Sequence, residues 1–276
     1  MASTKPARAS DWTLAPDEIA LPAPAVATAV RILDYLSKQT PRAGVTEISR
    51  ALATNKSTCF NILLTLAHFG VVVKLPGSAH YQLGPRLAEL GGAFRRRYDY
   101  RDLLRRQFAE LVAETQFVCV IGQILGDESS FVIIDQIAPA GSRSRDPAPP
   151  VGTVFPLTGP AMGGALLSCF DEDDAIEIVR NLSPRMKPAD EAAWRARLCE
   201  IRRAGFAASR EQYKDGVNAL AAPIKRSGEP YLVAALIAHS RDLTGQRIDE
   251  LGTRLAYAAR RLGGRLRLAD RGPGIA

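Results

Sequence analysis

The run Asn55-Lys56-Ser57-Thr58-Cys59-Phe60-Asn61 gathers short hydrogen-bonding side chains, one cation and one aromatic ring. Cys59, Ile62, Leu63, Leu66 and Phe69 recur at helical spacing and are expected to be buried. Asn55, Lys56, Ser57, Thr58, Phe60 and Asn61 are left on the opposite face. Such a mixture suits phosphate oxygens and base edges in a major groove, because a cation neutralises phosphate and a carboxamide or hydroxyl pairs with base edges. By itself the pattern also describes an ordinary amphipathic surface helix.

Bond-making chemistry is poorly provided for. The chain has three His, no paired Cys motif and no Gly-x-Ser-x-Gly elbow, so neither a metal centre nor a nucleophile triad is expected. Gly159, Gly163 and Gly164 form neither a dinucleotide fingerprint nor a P-loop. The acidic run Asp171 to Asp174 resembles metal ligands only superficially, since carboxylates at a helix start serve capping and the helix dipole. No catalytic residue, cofactor or metal is assigned.

The elements around the first run decide how to read it. Val45 to Ala53 is a short helix with Thr46 at its start, and Thr54 and Asn55 form a brief turn before a long helix that Gly70 can stop. That is helix-turn-helix spacing. Upstream, Val26, Val30, Leu33 and Leu36 give a third helix its inward stripe. Downstream, Val71 to Leu75, the turn Pro76-Gly77-Ser78 and Ala79 to Leu83 read as a β-hairpin. A hairpin directly after a recognition helix makes a winged helix-turn-helix. Thr46 joins the candidate DNA contacts, and His80 and Tyr81 in the wing either touch phosphate or face water. His68, near the end of the long helix, reads as structural.

Charge agrees with this reading. The net charge is +7, and residues 1–106 hold 15 Lys/Arg against 8 Asp/Glu while residues 107–276 hold 21 against 21. Positive charge beside a helix-turn-helix is what phosphate neutralisation requires. Cys59, Cys119, Cys169 and Cys199 are far apart and suit a reducing cytoplasm rather than a disulfide framework. No apolar run is long enough to span a membrane, and residues 1–23, rich in Ala and Pro without an apolar core, read as a flexible tail.

Beyond the wing, Pro85 opens a helix with the stripe Leu87, Leu90 and Phe94, followed by Arg95, Arg96 and Arg97, either a solvated face or a neighbour of the DNA backbone. Arg101 to Thr115 is a second helix with Leu104, Phe108, Leu111 and Val112 inward. Strands are expected at Phe117 to Leu125, Ser130 to Ala138, Val151 to Leu157, Phe206 to Gln212, Val217 to Ile224 and Tyr231 to His239. Helices are expected at Gly159 to Phe170, from Asp171 to Leu182, at Pro188 to Ala204 and through Ile248, Leu251, Leu255, Leu262 and Leu266. This order gives an α+β domain with an antiparallel sheet.

The motifs KSTCFNILLTLAHFGVV, YQLGPRLAELG, PLTGPAMGGALL and DGVNALAAPI, in this order, resemble the IclR family of bacterial transcriptional regulators from about Val26 to Leu266. The resemblance implies an N-terminal winged helix-turn-helix joined by linker helices to a GAF-like sensor domain that binds a small organic or aromatic acid. It also implies dimers or tetramers that read operator half-sites on double-stranded DNA. The expected divisions are 24–84 for the DNA-binding domain, 85–98 for the linker helix and 99–270 for the effector-binding domain. Asn61 stands where the family usually has Arg, which puts operator preference in question. Thr158-Gly159-Pro160-Ala161 and Gly163-Gly164 replace the family's His-containing loop and its Gly-Lys pair, and Ala219 replaces a strand Cys. By this matching Thr158, Ala161, Met162, Ser209, Ala219, Ile237 and His239 are the effector-binding candidates. A pocket with so apolar a wall favours an aromatic or branched apolar acid over a very small polar one. Two other classes stay open. An adaptor using its winged helix for protein contacts would neither retard a fragment of its own promoter nor show a steep salt dependence, and an enzyme would turn over an added metabolite.

Overall fold

The computed structural model describes residues 22–38, 42–97, 101–126, 128–141, 147–226 and 228–269. They divide between two compact units, Pro16–Arg101 and the unit that begins at Asp102.

In the first unit the order is α1 (Pro24–Lys38), β1 (Ala43–Gly44), α2 (Val45–Ala51), α3 (Lys56–His68), β2 (Val72–Lys74), β3 (His80–Leu83) and α4 (Arg86–Arg97). Asn55 begins α3, its side-chain oxygen accepting from the Ser57 amide at 2.9 Å. Gly70 ends the turn after the helix in the left-handed conformation, φ +69°, that residues with a Cβ avoid. The start of α2 is held by the Glu47 carboxylate, which accepts from the Gly44 amide at 2.7 Å. Ile32, Leu36, Ile48, Cys59, Leu63, Val72 and Tyr81 form one core. The expected hairpin is present, with Val72 opposite Leu83 and Lys74 opposite Tyr81. The two-residue β1 adds a third strand alongside β3, an element too short to announce itself in sequence.

Three expectations about burial are corrected here. The buried edge of α1 runs through Ile32 and Leu36, whereas Val26 and Val30 are 64% and 53% exposed. Residues two apart on a helix point roughly 200° away from each other, so Ile32 and Val30 cannot both face one core. Phe69 is exposed because it lies just past the last residue of α3, where the chain is already turning. Leu90 on α4 is 48% exposed, so it is not covered within its own unit, whereas Leu87 of the same stripe is half-buried. The side chains of Phe94, Arg95, Arg96 and Arg97 lie outside the described residues, as does the expected flexible tail through Leu21.

The second unit runs α5 (Arg101–Thr115), β4 (Val118–Ile124), β5 (Ser130–Ile137), β6 (Val154–Pro156), α6 (Met162–Leu167), α7 (Glu172–Leu182), α8 (Pro188–Ala204), β7 (Ala207–Arg210), β8 (Val217–Arg226), β9 (Glu229–His239) and α9 (Gly245–Ala269). Its strands form one antiparallel sheet in the order β6-β5-β4-β9-β8-β7. Side chains alternate across a strand, so each half-buried face can serve a different layer. Val118, Val120, Phe131, Ile133, Val233, Ala235 and Ile237 join a core with residues of α6, α7 and α8. Against β8 and β9 also packs α9, whose Ile248, Leu251, Leu255, Leu262 and Leu266 are all buried.

Helix α6 is shorter than the expected Gly159 to Phe170, because Gly159 to Ala161 are used in turns and Ser168 closes the helix. Its Gly163 passes so close to the backbone of Leu157 that a Cβ there would overlap the Leu157 carbonyl oxygen. The acidic run also differs from expectation. Asp171 precedes α7 but makes no side-chain cap, and Glu172 and Asp173 instead receive Arg195 at 2.7 and 3.1 Å.

Candidate functional site

Helix α3 buries Cys59 and Leu63 and leaves Asn55, Lys56, Ser57, Thr58, Phe60 and Asn61 exposed. Thr46, the second residue of α2, is exposed as well. These side chains have different freedom to act. The Asn55 oxygen is occupied by both the amide and the hydroxyl of Ser57, at 2.9 Å each, so this pair shapes the helix start. Lys56, Thr58 and Asn61 have no side-chain partner among the described residues, and Phe60 is 44% exposed. Free donors, a carboxamide and an exposed ring therefore project from one stiff helix. In the wing, His80 is tied by its Nδ1 to the Ser78 hydroxyl at 2.7 Å, with Glu47 3.8 Å from its Nε2. Tyr81 is a core residue and offers nothing to phosphate. His68 is exposed, its ring edge-on to Phe69.

The second site is a cavity of about 40 Å³ between the sheet and the start of α6. Its lining includes Ala161, Met162, Ser209, Ala219 and Ile237, five of the seven residues expected from sequence. Register explains the grouping, since Ser209 pairs with Ala219 and Ala219 with Ile237 across three neighbouring strands. Met162 arrives from α6 and lies over Gly122, where a Cβ would come within 2.9 Å of the Met162 methyl.

Thr158 and His239 do not line the cavity. Thr158 is half-buried in the turn between Leu157 and Gly159. His239 is exposed at the end of β9, one pleat beyond Ile237 and roughly 7 Å farther along the strand, past the cavity rim.

What sequence reasoning missed is the aromatic wall. Phe131 and Phe155 stack at 5.5 Å between centroids, and Tyr213 meets Phe155 edge-on at 5.4 Å. Phe131 and Phe155 become neighbours only through the β5–β6 register, which pairs them directly. Tyr213 comes from the loop after β7, a loop anchored by Asn218. The Asn218 oxygen accepts from the Glu211 amide at 3.0 Å, while its nitrogen donates to the Leu243 carbonyl at 2.8 Å. Burial pushes the Tyr213 phenol above its usual range. Among the described residues no charged side chain lines the cavity, and Ser209 and Tyr213 carry the side-chain hydroxyls. Among the described residues no group of three or more His, Cys, Asp or Glu is placed to hold a metal ion. None of the described helices is long and apolar enough to cross a membrane.

Residues 95–263 match the family model for the bacterial transcriptional regulator IclR C-terminal domain, and residues 25–76 match that for the IclR helix-turn-helix domain. The chain belongs to the IclR family. It is 27% identical over 217 residues to the HTH-type transcriptional regulator XynR of Escherichia coli (strain K12), covering 76% of this chain and 83% of that protein. An IclR transcriptional regulator from Alicyclobacillus acidocaldarius superposes with a TM-score of 0.75 at 28% identity, over 88% of this chain and 98% of that one. An IclR homolog from Microbacterium hydrocarbonoxydans, solved in complex with 4-hydroxybenzoate, shares the fold with a TM-score of 0.67 at 18% identity, over 88% and 99% of the two chains. This IclR chain is thus a DNA-binding transcriptional regulator and not an enzyme, with the helix-turn-helix in its first unit and the α+β fold in its second.

Proposed function

We propose that the exposed face of α3 reads an operator half-site and that the cavity beside α6 binds an organic acid with an aromatic or branched apolar body, which changes operator affinity. In this reading residues 24–84 recognise DNA, residues 85–98 link the domains and residues 99–270 sense the effector. Lys56 meets phosphate, Thr58, Phe60 and Asn61 approach base edges, and Thr46, Asn55 and Ser57 border the groove. The protein acts as a homodimer, because one winged helix buries too little surface on DNA for specificity at physiological salt.

One observation carries the effector assignment: a cavity walled by Phe131, Phe155, Tyr213 and Met162, with the Ser209 and Tyr213 hydroxyls on its lining and no charged side chain among the described residues. An aromatic body gains apolar contact there, whereas a very small acid would exchange water for a wall that leaves its oxygens unpaired. An IclR homolog of the same fold was solved in complex with 4-hydroxybenzoate, which supports this reading. Size adds a mechanism. Cavities that take benzene hold about 150 Å³, so an aromatic acid enters only by opening this smaller one, with the Tyr213 loop and Met162 as the movable walls. Ligand binding therefore favours an expanded sensor domain, and a coupling of ~1–3 kcal/mol to operator affinity follows if that state differs in its fit to DNA.

The experiment is a thermal-shift series on the full chain with 4-hydroxybenzoate, benzoate and glyoxylate, repeated on Ser209→Ala and Ala219→Leu. The aromatic acids should raise the melting temperature and glyoxylate should not; Ser209→Ala should reduce the gain and Ala219→Leu, which fills the cavity, should remove it. Stabilisation by glyoxylate alone, or full retention in both variants, rules the assignment out.

A further inference from the structure

We propose that the open cavity between the α7–α8 turn and the first half of α8 is a second ligand site, taking a flat aromatic monocarboxylate through Arg197. This cavity measures about 620 Å³ and lies in the same unit as the central one. Arg185, Met186, Asp190, Trp194 and Arg197 are among its walls.

The case begins with an unpaired cation. Two other arginines of α8 have acceptors: Arg195 is held by Glu172, Asp173 and Glu191, and Arg202 by the Ser168 and Phe170 carbonyls. Arg197 has neither a hydrogen bond nor an ion pair among the described residues, and its Nη2 is buried without an acceptor. The Trp194 ring lies 5.0 Å from the guanidinium carbon, a contact that offsets little of the lost hydration. Burial pulls the Arg197 pKa below its usual value with no acid to counter it. With Nη2 closed to solvent against α6, Nε and Nη1 of this guanidinium are left for the cavity, and either can donate one charge-assisted hydrogen bond to a carboxylate there.

The walls define the rest of the ligand. Arg185 and Arg197 line the cavity together with one carboxylate, Asp190, which already accepts from the Lys187 amide at 3.0 Å. The surplus is one positive charge and matches a monoanion. Trp194, Met186 and Ala193 supply an apolar wall for a flat ring. Gly164 lies beside the buried end of Arg197, where a Cβ would stand 3.4 Å from Nη2. The same short helix, α6, therefore touches Arg197 through Gly164 and the central cavity through Met162. The two sites differ in chemistry, the central one apolar among the described residues and the other bearing arginines.

The test uses the Trp12→Phe full chain, which leaves Trp194 as its one tryptophan, titrated with benzoate while its emission is followed. Benzoate should give a saturable change. Arg197→Met, with its melting curve checked, should weaken binding at least about tenfold through loss of the charge-assisted pair. The exposed Arg185→Ala should weaken it by roughly threefold, and Ala219→Leu in the central cavity should alter it by less than about twofold. The uncharged analogue benzyl alcohol should give no saturable response. Absence of a saturable benzoate response, an equal response to benzyl alcohol, or unchanged affinity in Arg185→Ala overturns the proposal. A response lost in Ala219→Leu but kept in Arg197→Met would assign the acid to the central cavity alone.

Discussion

Within the recognition helix, the side chains divide by what already holds them. Asn55 and Ser57 are bonded to each other and to the backbone, while Lys56 and Asn61 have unpaired polar groups facing out. Lys56→Ala should weaken binding to every DNA sequence alike and lower the slope of log affinity against log salt by about one, the signature of one lost phosphate contact. Asn61→Ala should instead flatten the preference among operator variants, by ~1–3 kcal/mol at the position it reads if the contact is bidentate to adenine. Titrations against a small operator library separate the two, and unchanged affinity and preference in both variants would place recognition elsewhere. Cysteines offer a second check at this scale. Cys59 and Cys119 are buried, Cys199 is exposed, and burial pushes the Cys169 thiol up to about 11. A raised pKa leaves little thiolate at neutral pH and more as the pH approaches that value. With a chromogenic disulfide reagent near neutral pH, Cys199 should react first, and Cys169 should accelerate steadily into alkaline solution. Four thiols reacting together would show that the fold opens faster than the reagent attacks.

The helix ends were legible where side chains act on the backbone beside them. Pro188 begins α8 and Gly205, φ +79°, terminates it, so the helix falls where Pro and Gly place it in sequence. Asn55 similarly marks the start of α3, and Asn55→Ala should lower stability by about 1 kcal/mol, read as a shift in the chemical-denaturation midpoint. Elements set by distant partners were less legible. The face of α1 depends on where α3 and β3 lie, the two residues of β1 become a strand only beside β3, and α6 shrinks because its first residues turn to meet Leu157. The cavity shows the same division. Met162, Ser209, Ala219 and Ile237 came from matching motifs in chain order, whereas Phe131 and Phe155 meet through strand register and Tyr213 through a loop tied down by Asn218. His239 failed for a related reason, since its strand continues past the cavity. Gly163→Ala tests how tightly α6 is seated. With the Leu157 carbonyl in the way of a Cβ, the substitution should destabilise the domain by ~1–3 kcal/mol and abolish stabilisation by 4-hydroxybenzoate. A variant melting like the parent would mean that α6 can shift without disturbing the cavity.

For the whole chain the question is how one small reading head achieves specificity. The first unit leaves Val26 and Val30 on α1 and Leu90 on α4 exposed, apolar side chains that nothing in that unit covers. A second copy is the occupant that the DNA argument calls for, because two heads on one operator double the contacts and fix half-site spacing near a whole number of helical turns. Substituting Val30→Glu and Leu90→Glu together should leave each unit folded, since neither residue belongs to a buried core, yet should introduce charge into the dimer contact. Sedimentation should then show a shift from dimer to monomer at micromolar concentration. Operator affinity should fall by at least about a hundredfold, toward the non-specific level, and the salt slope should drop by about half as one head's phosphate contacts are lost. Circular dichroism that matches the parent confirms that folding is intact. A double variant that stays dimeric, or a parent that is monomeric and still binds its operator at full affinity, places the self-association surface elsewhere on the chain or removes the need for one.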